Sequence, residues 1–287
     1  MCAHFHATRS KHTITICMLL FIVGAFSHAT SAQIGTRTII VFHIAKDKFI
    51  IAADSRVVFK GKPEDSGCKI AAINHQFIFA TSAAAGYRPA REGLDPAPAF
   101  DNVEEARKAV RLRPSNDDTA DNFNSVADAW ADYMTRDFRS LYSVHPEIVL
   151  EAAKKEKGTL ANGLFAKAIK GKIVLAFRSV TFSPNRMKLF MVESIPTDCA
   201  ARICASGMTD VFNEYTSSPP KSERAKREGI LNPTTDETAR IKRLVQLSIL
   251  YIRPKGEVGG PIDLLELWND GHISWLSRKC NCPENED

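Results

Sequence analysis

Three residues of this chain carry groups that could act together on an amide bond: Thr38, Asp54 and Lys69. Thr38 heads an apolar run, Thr-Ile-Ile-Val-Phe-His-Ile, and Asp54 closes the next one, Phe-Ile-Ile-Ala-Ala-Asp. Lys69 lies in Gly-Cys-Lys-Ile, shortly before a third run that ends at Ala83. A threonine hydroxyl is a weak nucleophile until a nearby base takes its proton. A lysine ammonium lowers the pKa of a neighbouring amine, and a carboxylate can hold that lysine in place. The same residues also have plainer uses: Thr38 as a β-former at a strand start, Asp54 as a turn cap and Lys69 as surface charge.

Short strands must position these groups. Residues 38 to 83 read as strands, with turns at Lys46-Asp47 and Lys60-Gly61-Lys62-Pro63. Tyr87 to Asn124 is polar, carries Pro89, Pro96, Pro98 and Pro114, and reads as an inserted loop with a helical patch around Val103 to Val110. From Ser125 the period changes: Val126, Trp130, Tyr133, Met134, Phe138 and Leu141 mark an amphipathic helix. Pro146 opens another, to about Lys157. Strands return at Gly171 to Val180 and Arg186 to Val192, around the turn Ser183-Pro184-Asn185. Met208 to Tyr215 predicts a short helix, and Ser217 to Pro233 an exposed, charged segment. Asp236 to Tyr251 predicts a helix with Thr235 or Asp236 as N-cap. Asn269-Asp270-Gly271 joins Ile262–Trp268 to His272–Leu276 as a hairpin. This order predicts an α+β fold, an α/β/β/α sandwich of two antiparallel sheets. Strand–helix alternation is absent, which argues against a doubly wound nucleotide-binding fold.

The chain has 287 residues, 44% hydrophobic and 25% charged, ordinary for a globular protein. Its net charge of +5 is spread along the length, without a long basic run or a zinc-finger, RNA-recognition or Walker spacing. No nucleic-acid partner, cofactor or metal site is expected. Arg9, Lys11 and His12 precede an apolar run from Ile14 to Phe26, the length of a signal-peptide core and short for a bilayer span. Ser27-His28-Ala29 and Thr30-Ser31-Ala32 both fit a cleavage site. Residues 1–32 therefore read as a signal peptide, with an uncleaved anchor as the alternative and the only expected link to a membrane. Export, secreted or periplasmic, permits disulfides among Cys68, Cys199, Cys204, Cys280 and Cys282. Cys199 with Cys204, and the Cys280-Asn-Cys282 tail, are candidate partners, and the pairing stays open.

Taken in order, Lys46-Asp-Lys-Phe-Ile-Ile-Ala-Ala-Asp-Ser-Arg56, Ala205-Ser206-Gly207 before a helix, and Gly259-Gly-Pro-Ile-Asp-Leu-Leu-Glu-Leu-Trp-Asn-Asp-Gly271 resemble the β-type subunits of proteasomes and their bacterial relatives. The resemblance covers roughly residues 36–86 and 171–279, with 87–124 as an addition to a single 33–279 domain and 280–287 as a tail. It implies the N-terminal nucleophile (Ntn) fold and a threonine peptidase or amidohydrolase. In that family the threonine is the first residue of the mature chain, and its own α-amine is the base.

The resemblance assigns Thr38 as nucleophile, Asp54 and Lys69 as its supporting ion pair, Ala83 as oxyanion N–H donor and Ser206 as the serine that contacts the terminal amine. Ser206 as a simple helix N-cap is the plainer alternative. The substrate pocket would be lined by Val57, Gly67, Ala71, Thr81 and Ala85, which suits neutral apolar side chains. Departures exist. Lys255 and Val258 replace an aspartate and a serine of active members. Arg37 precedes Thr38 where glycine is usual, and Gly35-Thr36 offers that pair only with a longer first hairpin. A catalytically inactive binding or structural module on the same fold is the rival expectation. The insert suggests a monomer or small oligomer rather than a ring.

Overall fold

The structure, a computed structural model, describes residues 33–35, 38–59, 62–65, 67–89, 95–113, 119–183, 190–194, 203–217, 236–252 and 258–278. The expected signal peptide, the exposed segment after Ser217, Lys255 and the tail lie outside these residues. The first strands are β1 (Gln33–Gly35), β2 (Ile39–Ile44), β3 (Lys48–Asp54), β4 (Val57–Phe59) and β5 (Lys62–Glu64). Next come β6 (Ile70–Ile73), β7 (Phe77–Ala83), β8 (Gly86–Arg88) and β9 (Phe100–Asp101). Helices α1 (Asn102–Leu112), α2 (Ala120–Val144) and α3 (Pro146–Lys155) lead to β10 (Thr159–Ile169), β11 (Lys172–Phe182), β12 (Phe190–Ser194) and β13 (Cys204–Gly207). Helices α4 (Asp210–Thr216) and α5 (Glu237–Tyr251) precede the hairpin β14 (Ile262–Trp268) and β15 (Ile273–Ser277).

Two five-stranded sheets dominate, ordered β12-β11-β10-β7-β6 and β13-β2-β3-β14-β15. The described ladders are antiparallel. Strand periodicity explains how they stack. Along β7, Phe77 and Phe79 face α1 and α2, whereas Ile78 and Ala80 face the other sheet. Along β3, Phe49, Ile51 and Ala53 meet that same inter-sheet core, and Ile50 and Ala52 turn to α4 and α5. Both faces of the central strands β3 and β7 are buried, so these strands read as continuous apolar runs rather than alternating ones. The result is a mixed α+β sandwich with one core between the sheets and helices against each outer face.

Two short accessory sheets, β1-β8-β9 and β4-β5, stand beside the ends of these strands. The segment read as an inserted loop is partly regular: it contributes β8, β9 and α1. Asp101 Oδ1 caps α1 by accepting from the Val103 and Glu104 N–H groups at 2.8 and 3.2 Å, and Val103, Ala106, Ala109 and Val110 are buried. Thr119 caps α2, which starts at Ala120, ahead of the expected Ser125. Helix α3 stops at Lys155 because Lys157 and Gly158 turn to φ +53° and +95°.

Candidate active site

Asp54 organises the site. It ends β3, and its carboxylate is fully buried. Oδ1 accepts from Thr38 Oγ1, the Ile39 N–H and Lys69 Nζ, each at 3.0 Å. Oδ2 accepts from the N–H groups of Arg56 at 3.2 Å and Gly259 at 3.0 Å. Burying a carboxylate is costly unless its lone pairs are met by donors and a counter-charge. Here the backbone meets it from three places along the chain. Gly259 closes the ring, because its own carbonyl accepts from the Ser55 and Arg56 N–H groups at 3.1 and 3.0 Å.

Lys69 immediately precedes β6, in the opposite sheet from Asp54, so the ion pair ties the two sheets together. Its ammonium also donates to the Arg56 carbonyl. Thr38 is 2% exposed and stands just ahead of β2. Its carbonyl accepts from the Met208 N–H at 2.8 Å. Gly207 is pressed against the same carbonyl: a β-carbon there would sit 2.0 Å from Thr38 O, and its φ is +92°. Only glycine fits a backbone that close.

Ser206, beside Gly207, hydrogen-bonds Ser82 Oγ at 2.7 Å, and Asn162 Nδ2 donates to Ser82 Oγ at 3.3 Å. This is a second polar bridge between the sheets. Ala83, the last residue of β7, is held at φ +68°. An L-residue other than glycine pays about 1–2 kcal/mol in that region, and such outliers concentrate at functional sites.

The five expected pocket residues separate. Val57, Gly67 and Ala85 line a cavity of about 510 Å³ beside β8, together with Cys68, Phe100 and Val103. Gly67 is needed there, since a β-carbon would lie 2.2 Å from Val57 Cγ2. Ala71 packs in the core under α1 and α2 instead, and Thr81 Oγ1 accepts from Asn102 Nδ2 at 2.7 Å. The cavity is also less uniformly neutral than expected. Glu64, Arg88, Asp101, Glu104 and Arg107 contribute to its wall. Arg88 pairs with Glu64 at 3.3 Å, and Arg107 with Glu104.

Sequence reasoning placed Thr38, Asp54, Lys69 and Ser206 in one region, and the structure joins the first three directly. It missed Ser82, Asn162, Gly207 and Gly259 as site members. The two glycines sit within runs that carried the resemblance, so close backbone approach could have been inferred. Ser82 and Asn162 have no local signal. Cys68 and Cys204 are disulfide-bonded, while Cys199, Cys280 and Cys282 lie outside the described residues. Among the described residues no group of three or more His, Cys, Asp or Glu side chains is placed to hold a metal, and no helix is long and apolar enough to cross a membrane. No protein-family model matches the chain, and no curated protein does.

Proposed function

We propose that this chain is an N-terminal-threonine hydrolase of the proteasome-like Ntn class, cleaving peptide or amide bonds through Thr38. The observation that carries this reading is the convergence of the Thr38 hydroxyl and the Lys69 ammonium on one buried oxygen of Asp54. A structural use of Thr38 as a strand former needs no buried ion pair at its hydroxyl. The paired sheets with helices on each outer face are compatible with the α/β/β/α Ntn architecture.

In the intact chain the Thr38 nitrogen is an amide and cannot accept a proton. Cleavage of the Arg37–Thr38 bond frees an α-amine that titrates near pH 8 (about 7.7–8.0 in model peptides). That amine is the base for the Thr38 hydroxyl. Lys69, fixed by Asp54, favours the neutral amine by like-charge repulsion. The Ala83 N–H serves as oxyanion donor. The reaction needs no cofactor, and the partner is a peptide or amide substrate. Each cation in the cavity wall already has a carboxylate partner, which supports neutral substrate side chains at Val57, Gly67 and Ala85. The disulfides at Cys68 and Cys204 support export to an oxidising compartment. We propose a monomer or small oligomer for the exported chain.

Buried Val258, 2% exposed where a hydroxyl is expected, favours a second reading as an inactive module of the same fold. N-terminal sequencing of the mature protein tests both, alongside amide hydrolysis by wild type and Thr38→Ala. The hydrolase reading expects a chain beginning at Thr38 and loss of turnover in Thr38→Ala. A mature chain that begins at Gln33 and hydrolyses nothing would overturn it.

A further inference from the structure

The chain fills a strand edge next to Thr38 with its own residues. β1 pairs antiparallel with β8, Gln33 opposite Arg88, Ile34 opposite Tyr87 and Gly35 opposite Gly86. The other side of β8 is taken by β9. Among the described residues, β1 is the strand that covers this second edge of β8. Ile34 is 7% exposed and sits in an apolar cluster with Tyr87, Ala97 and Phe100. Only residues 36 and 37 separate β1 from Thr38. The strand edge is close to the other site parts as well: β8 starts just past Ala83, and Gly86, Tyr87 and Arg88 line the cavity.

We propose that the β8 edge, Gly86–Arg88, is a binding site for an extended peptide, that β1 occupies it in cis, and that the socket filled by Ile34 selects a branched apolar residue of the incoming peptide. Strand addition supplies this division of labour: main-chain hydrogen bonds give affinity, and pockets for alternate side chains give specificity. β1 is three residues long and its Ile34 side chain is buried, so a short peptide with a matching apolar residue can replace it. While β1 is tethered, its effective concentration is of order millimolar, which weakens a competing peptide roughly tenfold or more. As a substrate site this edge rests on the hydrolase reading, with Ile34 marking a position upstream of the cleaved bond. As a binding site it does not.

The test uses the full chain carrying Thr38→Ala, so that no chemistry intervenes, with a site-specific protease sequence inserted after Gly35. The probe is an acetylated, fluorescent Gln-Ile-Gly-Thr-Arg peptide. The cut chain is expected to bind it at least tenfold more tightly than the uncut chain and to reject the peptide with aspartate in place of isoleucine. Amide exchange at Tyr87 and Arg88 should quicken on cutting and slow again with peptide. If the insertion prevents folding, uncut Ile34→Asp serves instead and is expected to gain the same binding. A freed edge that binds neither peptide, or both alike, overturns the proposal. Binding by the Thr38→Ala chain together with an inert Thr38 enzyme would overturn the hydrolase reading and leave this one standing.

Discussion

Lys69 Nζ and Asp54 Oδ1 lie 3.0 Å apart, with side chains 2% and 0% exposed, and they belong to opposite sheets. Each charge is tolerated in the interior because the other is present and further hydrogen bonds meet both groups. Removing one partner leaves an uncompensated buried charge, which costs about 3–5 kcal/mol. Replacing both with apolar groups is often neutral. Lys69→Met and Asp54→Leu should therefore each lose about that much stability, and the double variant should lose less than the sum of the two but stay well below wild type, because the Ile39, Arg56 and Gly259 N–H groups lose their acceptor. Urea denaturation of the three proteins measures the coupling. Strict additivity of the two losses would show that the pair does not hold the sheets together.

Thr38→Ala separates chemistry from stability. It removes one of the donors to Asp54 Oδ1 and leaves the Ile39 and Lys69 bonds in place. The expected stability cost is about 1.5–3 kcal/mol, that of one hydrogen bond to a charged acceptor, with hydrolysis abolished. Thr38→Ser keeps the hydroxyl and should keep part of the activity. Equal activity in Thr38→Ala and wild type would remove Thr38 from the mechanism.

Much of this arrangement was legible in the sequence, and the failures have physical causes. The strands at Thr38 to Ala83 are rich in β-branched and aromatic residues, so their pattern survives reading. β10 was missed although it pairs with both β7 and β11. Its sequence, Thr-Leu-Ala-Asn-Gly-Leu-Phe-Ala-Lys-Ala-Ile, is short of β-formers. Gly163 explains part of that composition: a β-carbon there would lie 2.6 Å from the Trp130 ring. The demand comes from a helix distant in sequence, and no local propensity encodes it. The same holds for Ser82 and Asn162, whose meeting with Ser206 depends on β7 lying beside β10 and facing β13. Within residues 87–124 the helical patch at Val103 to Val110 was legible and is α1, whereas β8 and β9, three and two residues long, are too short to leave a pattern.

Two substitutions at positive φ should act in opposite directions. Gly207→Ala places a carbon 2.0 Å from Thr38 O and strains a φ of +92°. Backbone must move, so a loss above about 2 kcal/mol and displacement of Thr38 are expected. Ala83→Gly relieves φ +68°. Glycine's greater freedom in the unfolded chain, worth about 0.5–1 kcal/mol, offsets a relief of about 1–2 kcal/mol. Ala83→Gly should be neutral or slightly stabilising, unlike Ala→Gly in an ordinary strand. Thermal denaturation compares the two, and a clear loss in Ala83→Gly would show that the site does not rely on this strain.

Acid should loosen the segment between β8 and α1 before the central sheets. Tyr87 Oη donates to Asp95 Oδ2 at 2.7 Å, the Ala97 N–H donates to Oδ1 at 2.9 Å, and His145 Nε2 lies 3.0 Å from Oδ1. Burial acts to raise the Asp95 pKa, but these hydrogen bonds and His145 outweigh it and hold the group below the usual carboxylate range. A folded-state pKa below the unfolded one contributes stability above the unfolded value. That contribution is lost as pH falls through the folded one. The unfolded value is about 3.9, so the loss should begin near pH 4 and grow below it. Tyr87 works from the other end. Burial and its bond to Asp95 push its pKa up, so its contribution is complete below about pH 10 and lost above it. Asp95→Asn should remove the acid-dependent part, because an amide does not titrate there, and leave the alkaline part largely in place. Amide exchange at Tyr87 and Ala97 from pH 3 to pH 7, compared between wild type and Asp95→Asn after correction for intrinsic rates, measures it. Identical protection profiles in the two proteins would show that Asp95 does not pin this segment.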